Sequence, residues 1–253
     1  MYCRLALFAV LLPASAVAQP VQVHYAAYAA GLNVVQMDAA LDIQPQRYRL
    51  RLAYHTAGTF SVFVRSQQDT TVDGTFAAGR AVPTRFVSTG VLSGAQRLTE
   101  IDYRGGQPVI RQLVPPNGAE REPVPDERQR GTIDTLSAMV QLIHRVNETG
   151  SCDGAARTFD GRRLAELRAV TVGFEELPPT RLSSYAGRAL HCSFEGRQLG
   201  GFSLDQDRAR LQQPQPGQAW FAAITPGGPM IPVRISFRTR WFGDATMFIA
   251  PAE

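Results

Sequence analysis

The sequence predicts a mainly β protein in which antiparallel sheet wraps a single α-helix. Three observations carry that expectation. Thr132 to Val146 has a clean helical period, with Ile133, Leu136, Met139, Val140, Ile143 and Val146 at three- and four-residue spacings. Arg47 to His55 alternates instead, with Tyr48, Leu50, Leu52 and Tyr54 on one side and Arg47, Arg49 and Arg51 on the other. The remaining apolar segments are short and separated by glycine turns, which implies antiparallel pairing. A helix of this length is marginal alone in water, so its apolar stripe must be covered, and sheet is the only material available.

The chain has 253 residues, 44% hydrophobic and 19% charged, enough to bury a full core and unlike a disordered or fibrous composition. Residues 1–18 read as a secretory signal. Arg4 supplies the positive start, Leu5 to Leu12 the apolar run and Ala16-Val17-Ala18 the small-residue cleavage site, so the mature protein is expected to begin near Gln19. Nothing later approaches the roughly eighteen apolar residues of a membrane span. A soluble periplasmic protein is the expectation, with residues 19–253 as one β-rich domain.

Taken in order, Val21 to Leu32 and Val34 to Ile43 form a first hairpin broken near Gly31. Arg47 to His55 is followed, after Ala57-Gly58, by a strand at Thr59 to Arg65. Further strands are expected at Thr70 to Phe76, Pro83 to Gly90, Gln96 to Tyr103 and, after Gly105-Gly106, Val109 to Val114. Pro115 to Gly131 is proline-rich and charged and reads as a long loop into the helix. For the helix, Asp134 or Thr132 can cap the first free N–H groups, His144 and Arg145 suit the negative end of the dipole, and Asn147 can close it. Strands then fall at Arg157 to Phe159, Leu164 to Phe174, Ala189 to Phe194, Gly200 to Leu204, Ala219 to Ile224, Met230 to Trp241 and Ala245 to Ile249. Glu175 to Gly187 and Asp205 to Gln218 read as loops. No repeat of fixed period and no linker divides the chain.

Removal of the signal takes Cys3 and leaves Cys152 and Cys192, an even pair in a compartment that permits disulfides. One bridge is expected, stabilising by roughly 4 kcal/mol for a loop of that size. Neither CxxC nor a His/Cys cluster at ligand spacing is present, so no metal or other cofactor is expected.

Motifs for an enzyme are absent: no G-x-S-x-G, no H-E-x-x-H, no phosphate-cradling loop and no dinucleotide fingerprint. His24, His55, His144 and His191 are scattered singly, as structural histidines are, and no catalytic residue is assigned. The acid pairs Asp38 with Asp42 and Asp102 with Asp134 would act only if folding joined them, as in a hydrolase of wall or lipid.

All 26 basic residues are arginine and the formal net charge is +4, so the surface should attract anions through planar, bidentate donors. A genome that favours arginine over lysine gives the same count. Two ladders stand out, Arg47, Arg49 and Arg51 on one strand and Arg234, Arg238 and Arg240 on another, each on one face by the period of two. Placed outside the sheet, they would form a basic surface for anionic lipid or lipopolysaccharide phosphate, unless they are a plain solvated face. Like charges on adjacent strands would require distance or a neutralising partner. Nucleic acid is not an expected partner, because no binding module is recognisable and the signal exports the chain.

The spaced Tyr25, Tyr28 and Gly31, the His55-Thr56-Ala57-Gly58 turn, Pro83-Thr84-Arg85-Phe86, the helix start Asp134-Thr135-Leu136-Ser137-Ala138 and the final Pro232-Val233-Arg234-Ile235 carry a resemblance over nearly the whole mature chain. Together they resemble a bacterial secreted family known as domain of unknown function 3108. The resemblance implies an exported protein whose antiparallel sheet curls into an incomplete β-barrel, similar in shape to periplasmic lipoprotein carriers and envelope-integrity barrels. It brings no catalytic residues to transfer.

The function expected from these readings is a non-enzymatic periplasmic protein that supports the cell envelope or binds an amphiphile or anionic envelope component. A lipid or lipoprotein carrier would hold an acyl chain or a lipidated protein in a cavity between helix and sheet, beside Leu136, Met139 and Ile143.

Overall fold

The computed structural model describes residues 20–238 and 243–251. The expected export signal and Arg240 lie outside the described residues. Seven strands come first: β1 (Val21–Ala29), β2 (Leu32–Ile43), β3 (Arg47–Thr56), β4 (Ser66–Ala77), β5 (Arg80–Leu92), β6 (Ala95–Arg104) and β7 (Gln107–Val114). A four-residue helix α1 (Phe60–Phe63) interrupts them between β3 and β4. Then come α2 (Asp126–Gln129) and the long helix α3 (Thr135–Thr149). The second run is β8 (Gly154–Phe159), β9 (Leu164–Leu177), β10 (Gly187–Gly200), the short α4 (Arg208–Leu211), β11 (Gln215–Ala223), β12 (Met230–Arg238) and β13 (Asp244–Ala250).

All thirteen strands form one antiparallel sheet in the order β7-β6-β5-β4-β3-β2-β1-β13-β12-β11-β10-β9-β8. Within β1–β7 and within β8–β13 each strand pairs with its sequence neighbour, and β1 pairs with β13 to join the two runs. The sheet curls, because α3 touches β3, β4 and β5 from one half and β8 and β12 from the other. It does not close: β7 and β8 are its edges and do not pair with each other. The fold is thus the incomplete barrel around one helix that the sequence predicts.

Segment 115–131 crosses the opening between those edges. Its backbone pairs with the segment after β10 through Glu122 N–H to the Phe202 carbonyl at 2.9 Å and Leu204 N–H to the Glu120 carbonyl at 3.0 Å. Ile133, just before α3, bridges Thr158 in parallel, which covers part of the β8 edge. Arg162, in the β8–β9 turn, donates to the carbonyls of Val114 and Pro115 at the far end of β7, both at 2.6 Å.

The helix begins three residues later than its apolar period suggests. Thr132 is already engaged, donating to the Gln129 carbonyl at 2.6 Å, so Asp134 becomes the cap and accepts from the Ser137 N–H at 2.8 Å. At the other end Gly150, at φ 67°, supplies the left-handed cap in place of Asn147. Asn147 ties the helix to β12, donating to the Met230 carbonyl at 2.9 Å and accepting from the Met230 N–H at 2.8 Å. No residue from Leu136 to Val146 is exposed, and Val140, Ile143 and Val146 are sealed in a core with Leu50, Val72, Ile101, Leu190, Phe221 and Val233.

Four local expectations need correction. Thr59 to Arg65 is not a strand: Gly58 takes φ 57°, Ser61 bonds back to its carbonyl, and Phe60–Phe63 form one helical turn that leaves Val62 and Phe63 exposed. The strand expected at Gly200 to Leu204 stops at Gly201, whose φ of 67° turns the chain out of the sheet. The loop expected at Asp205 to Gln218 holds α4, and its last residues enter β11, where Pro216 and Gly217 pair with Glu195 and Phe194. The loop expected at Glu175 to Gly187 begins three residues later, because Glu175, Glu176 and Leu177 pair with Ala189, Arg188 and Gly187.

Candidate functional site

The concave face of the sheet holds a cavity of about 260 Å³ beside α3. Ala138, Met139 and Leu142 of the helix form one wall; Leu167, Phe194, Phe221 and Ile235, from four strands, form the other. The space exists because Ala155, Ala156, Ala169 and Ala219 stand where larger side chains would meet the helix. The lining is overwhelmingly apolar, with Thr135, Gln141, Arg145 and Arg168 as its polar members. Arg168 is paired with Glu166 at 3.1 Å, whereas Arg145 makes no close ion pair among the described residues and its charge helps to hold the Asp153 carboxyl below its usual range, behind hydrogen bonds from Thr171. An apolar slot with a cation at its lining suits the tail and head of an anionic amphiphile.

Of the three residues expected beside such a cavity, Met139 lines it. Leu136 packs into the core and Ile143 is 2% exposed within it, both on other parts of the helix surface. Cys152 and Cys192 are joined by a disulfide with Cα atoms 6.1 Å apart, and Cys152 also lines the cavity. The bridge fixes the segment leaving α3 to β10 at the edge of the cavity. The alanines and Phe194 were not singled out from the sequence; the Gly154-Ala155-Ala156 run was the available signal.

The arginine ladders do not form one surface, since β2, β1 and β13 separate β3 from β12. On β3 the three arginines face outward beside acids of β4: Arg49 lies 3.5 Å from Asp73 and Arg51 donates through Nε to Asp69 at 3.0 Å, while Arg47 donates to Gln44 at 2.9 Å. On β12, Arg238 lies 3.6 Å from Asp244. Arg234 lies over the Trp220 ring at 4.5 Å, and Trp220 stacks on His191 on its own account at 4.7 Å.

The acid pairs are not brought together as catalytic dyads. Asp38 contacts His24 and Asp42 accepts from Gln44 at 3.0 Å. Asp102 accepts from Arg111 at 2.8 Å, which holds its carboxyl below the usual range, while Asp134 is sealed inside. Burial pushes the Asp134 carboxyl up to about 6 despite hydrogen bonds from Ser137, whose hydroxyl lies 2.8 Å from that of Tyr48. Tyr48 is itself raised, chiefly by burial. His55 contacts Gln36 and His144 stacks on Phe76, far from any shared centre in sequence or sheet position. Among the described residues no group of three or more His, Cys, Asp and Glu could hold a metal, and no helix is long and apolar enough to cross a membrane.

The sequence profile of a family described as "Protein of unknown function (DUF3108)" matches residues 21–250. No curated protein matches the chain. Among solved structures, a beta-barrel-like protein of domain of unknown function DUF1849 from Brucella abortus is similar, with a TM-score of 0.51 at 13% identity, covering 92% of this chain and 99% of that one. The likeness is one of fold.

Proposed function

We propose, from the premise that this chain belongs to the DUF3108 family of proteins of unknown function, that it is an exported, non-enzymatic periplasmic protein that binds an anionic amphiphile of the cell envelope. The observation that carries the reading is the apolar cavity of about 260 Å³ between α3 and β8–β12 with Arg145 at its lining. An engineered cavity of about 150 Å³ holds benzene, so this one has room for a segment of an acyl chain. Burial of each methylene contributes about 0.8 kcal/mol, and Arg145 supplies a charge-assisted contact for a carboxylate or phosphate. A lipid, a lipopolysaccharide or the acyl group of a lipidated protein presents that chemistry.

The test is binding of a fluorescent fatty acid to the mature protein, together with mass spectrometry of the species that purify with it. Met139→Trp fills the cavity and should abolish binding while the melting temperature holds. Absence of acyl species from the wild type together with absence of fatty-acid binding would remove the reading.

A further inference from the structure

A second cavity, of about 280 Å³, opens where Glu120, Arg121 and the β8–β9 turn from Asp160 to Arg163 approach strand residues of β3–β6. It shares no lining residue with the apolar one. Four arginines line it, at 97, 121, 162 and 163, against two carboxylates, Glu120 and Asp160, so four positive charges less two negative leave a net of two positive.

The pairing is uneven. Arg97 forks onto Glu120 at 2.6 and 2.8 Å, and Arg163 holds Asp160 at 2.7 Å. Arg121 and Arg162 are held by backbone carbonyls instead: Gly201 at 3.1 Å for the first, Val114 and Pro115 for the second. A carbonyl fixes a guanidinium in place without supplying a formal counter-charge, so Glu120 and Asp160, each already bonded to another arginine, offset these charges only from a distance. In addition, Arg97 Nε is buried without a hydrogen-bond partner, a donor left over at the same wall. Burial, with positive neighbours adding to it and Asp160 and Glu120 opposing it, holds Arg121 and Arg162 below the usual arginine range. The net positive charge that the four arginines leave over Glu120 and Asp160 favours an entering anion.

We propose that this cavity binds a dianionic phosphoryl group, free or as the headgroup of a phosphomonoester lipid, with Arg121 and Arg162 as its main donors. Two planar cations in a cavity with an excess of two positive charges match a dianion whose oxygens accept bidentate hydrogen bonds. Arg162 enters the site already braced against the end of β7, so little side-chain entropy remains to be lost on binding. The site does not depend on the amphiphile reading, because a phosphate ion has no tail to place.

The experiment is calorimetric titration at low salt, at about pH 8 where phosphate is largely dianionic, with two probes. One is inorganic phosphate and the other is dihexanoyl phosphatidic acid below its micelle concentration. One-site binding by phosphate and a phosphate-dependent rise in melting temperature are expected. Comparable affinities assign the site to free phosphoryl ligands; clearly tighter binding of the lipid assigns it to a headgroup. Arg121→Gln should weaken binding by at least about tenfold, the loss of one charged donor. Glu120→Gln should act in the opposite direction, because it removes the carboxylate that competes for Arg97, and it keeps the test informative if Arg121→Gln fails to fold. Failure of both probes to bind, or Glu120→Gln that binds no tighter than the wild type, overturns the proposal.

Discussion

Arg162 donates to the Val114 carbonyl oxygen at 2.6 Å, and this bond joins the two unpaired edges of the sheet. A second donation, to Pro115 at the same length, makes the guanidinium a fork across two successive carbonyls. Hydrogen bonds from a charged group contribute about 1.5 to 3 kcal/mol each. Arg162→Gln should therefore lower stability by about 2 kcal/mol or more in urea denaturation and speed amide exchange in β7, leaving β1 and β2 as they were. Unchanged exchange in β7 would show that the seam is held by segment 115–131 alone.

The disulfide gives a larger effect. Cys152 and Cys192 lie 40 residues apart in sequence, and a loop of that size corresponds to roughly 4 kcal/mol in the chain-entropy account. Protein lacking residues 1–18, denatured without reductant, should show no titratable thiol, and Cys192→Ala should cost about 2 to 5 kcal/mol.

Asp134 sets a pH dependence. Its carboxyl is raised from 3.8 to about 6 in the folded protein, so the folded state holds the proton more tightly than the unfolded one. The sign follows from linkage: stability is greatest with Asp134 protonated and is lost as pH climbs from about 4 to about 6, by roughly 3 kcal/mol. Asp134→Asn keeps a cap acceptor and removes the charge. The stability of the variant minus that of the wild type should rise across this window, and a difference that stays flat with pH would contradict the assignment.

Gly217 controls the wall of the apolar cavity. A Cβ there would overlap the outer atoms of the Phe194 ring, which lies against the glycine and lines the cavity. Gly217→Ala should push the ring off its position at a cost of about 1 to 3 kcal/mol and weaken fatty-acid binding. Both are read on one sample, by thermal melting and by fluorescence titration.

Sheet and helix were legible because each rests on a period within one segment. Tyr48 and Leu50 are buried and Arg47, Arg49 and Arg51 exposed as alternation requires, and the α3 stripe supplies Val140, Ile143 and Val146 to the core. The errors lie where one backbone angle overrules the pattern. Phe60, Val62 and Val64 alternate as a strand would, yet the left-handed Gly58 starts a helical turn; Gly201 ends a strand in the same way. The candidate sites were less legible. Met139 could be found from its stripe, but a cavity is missing volume, made here by alanines on three different strands. The four arginines of the polar cavity come from β6, segment 115–131 and the β8–β9 turn, and no spacing along the chain brings those together. The ladders were visible as a period, while the acids beside them, Asp69 and Asp73, were set by a register that only the fold reveals.

The pairing of β1 with β13, from His24 opposite Ala250 to Ala29 opposite Ala245, places the first and last strands at the middle of the sheet. Every other pairing is between strands that follow one another, so β1–β7 and β8–β13 can each zip up as successive hairpins. The centre is then the last part to be joined. A chain interrupted before Asp244 would lose a keystone, not a margin: β1 and β12 would each present an unpaired row of N–H and C=O groups, and β1 would carry Val23 and Tyr25 along it. Such rows template association between copies. Loss of this strand should thus appear as aggregation, whereas trimming β7 removes only one rim of the opening.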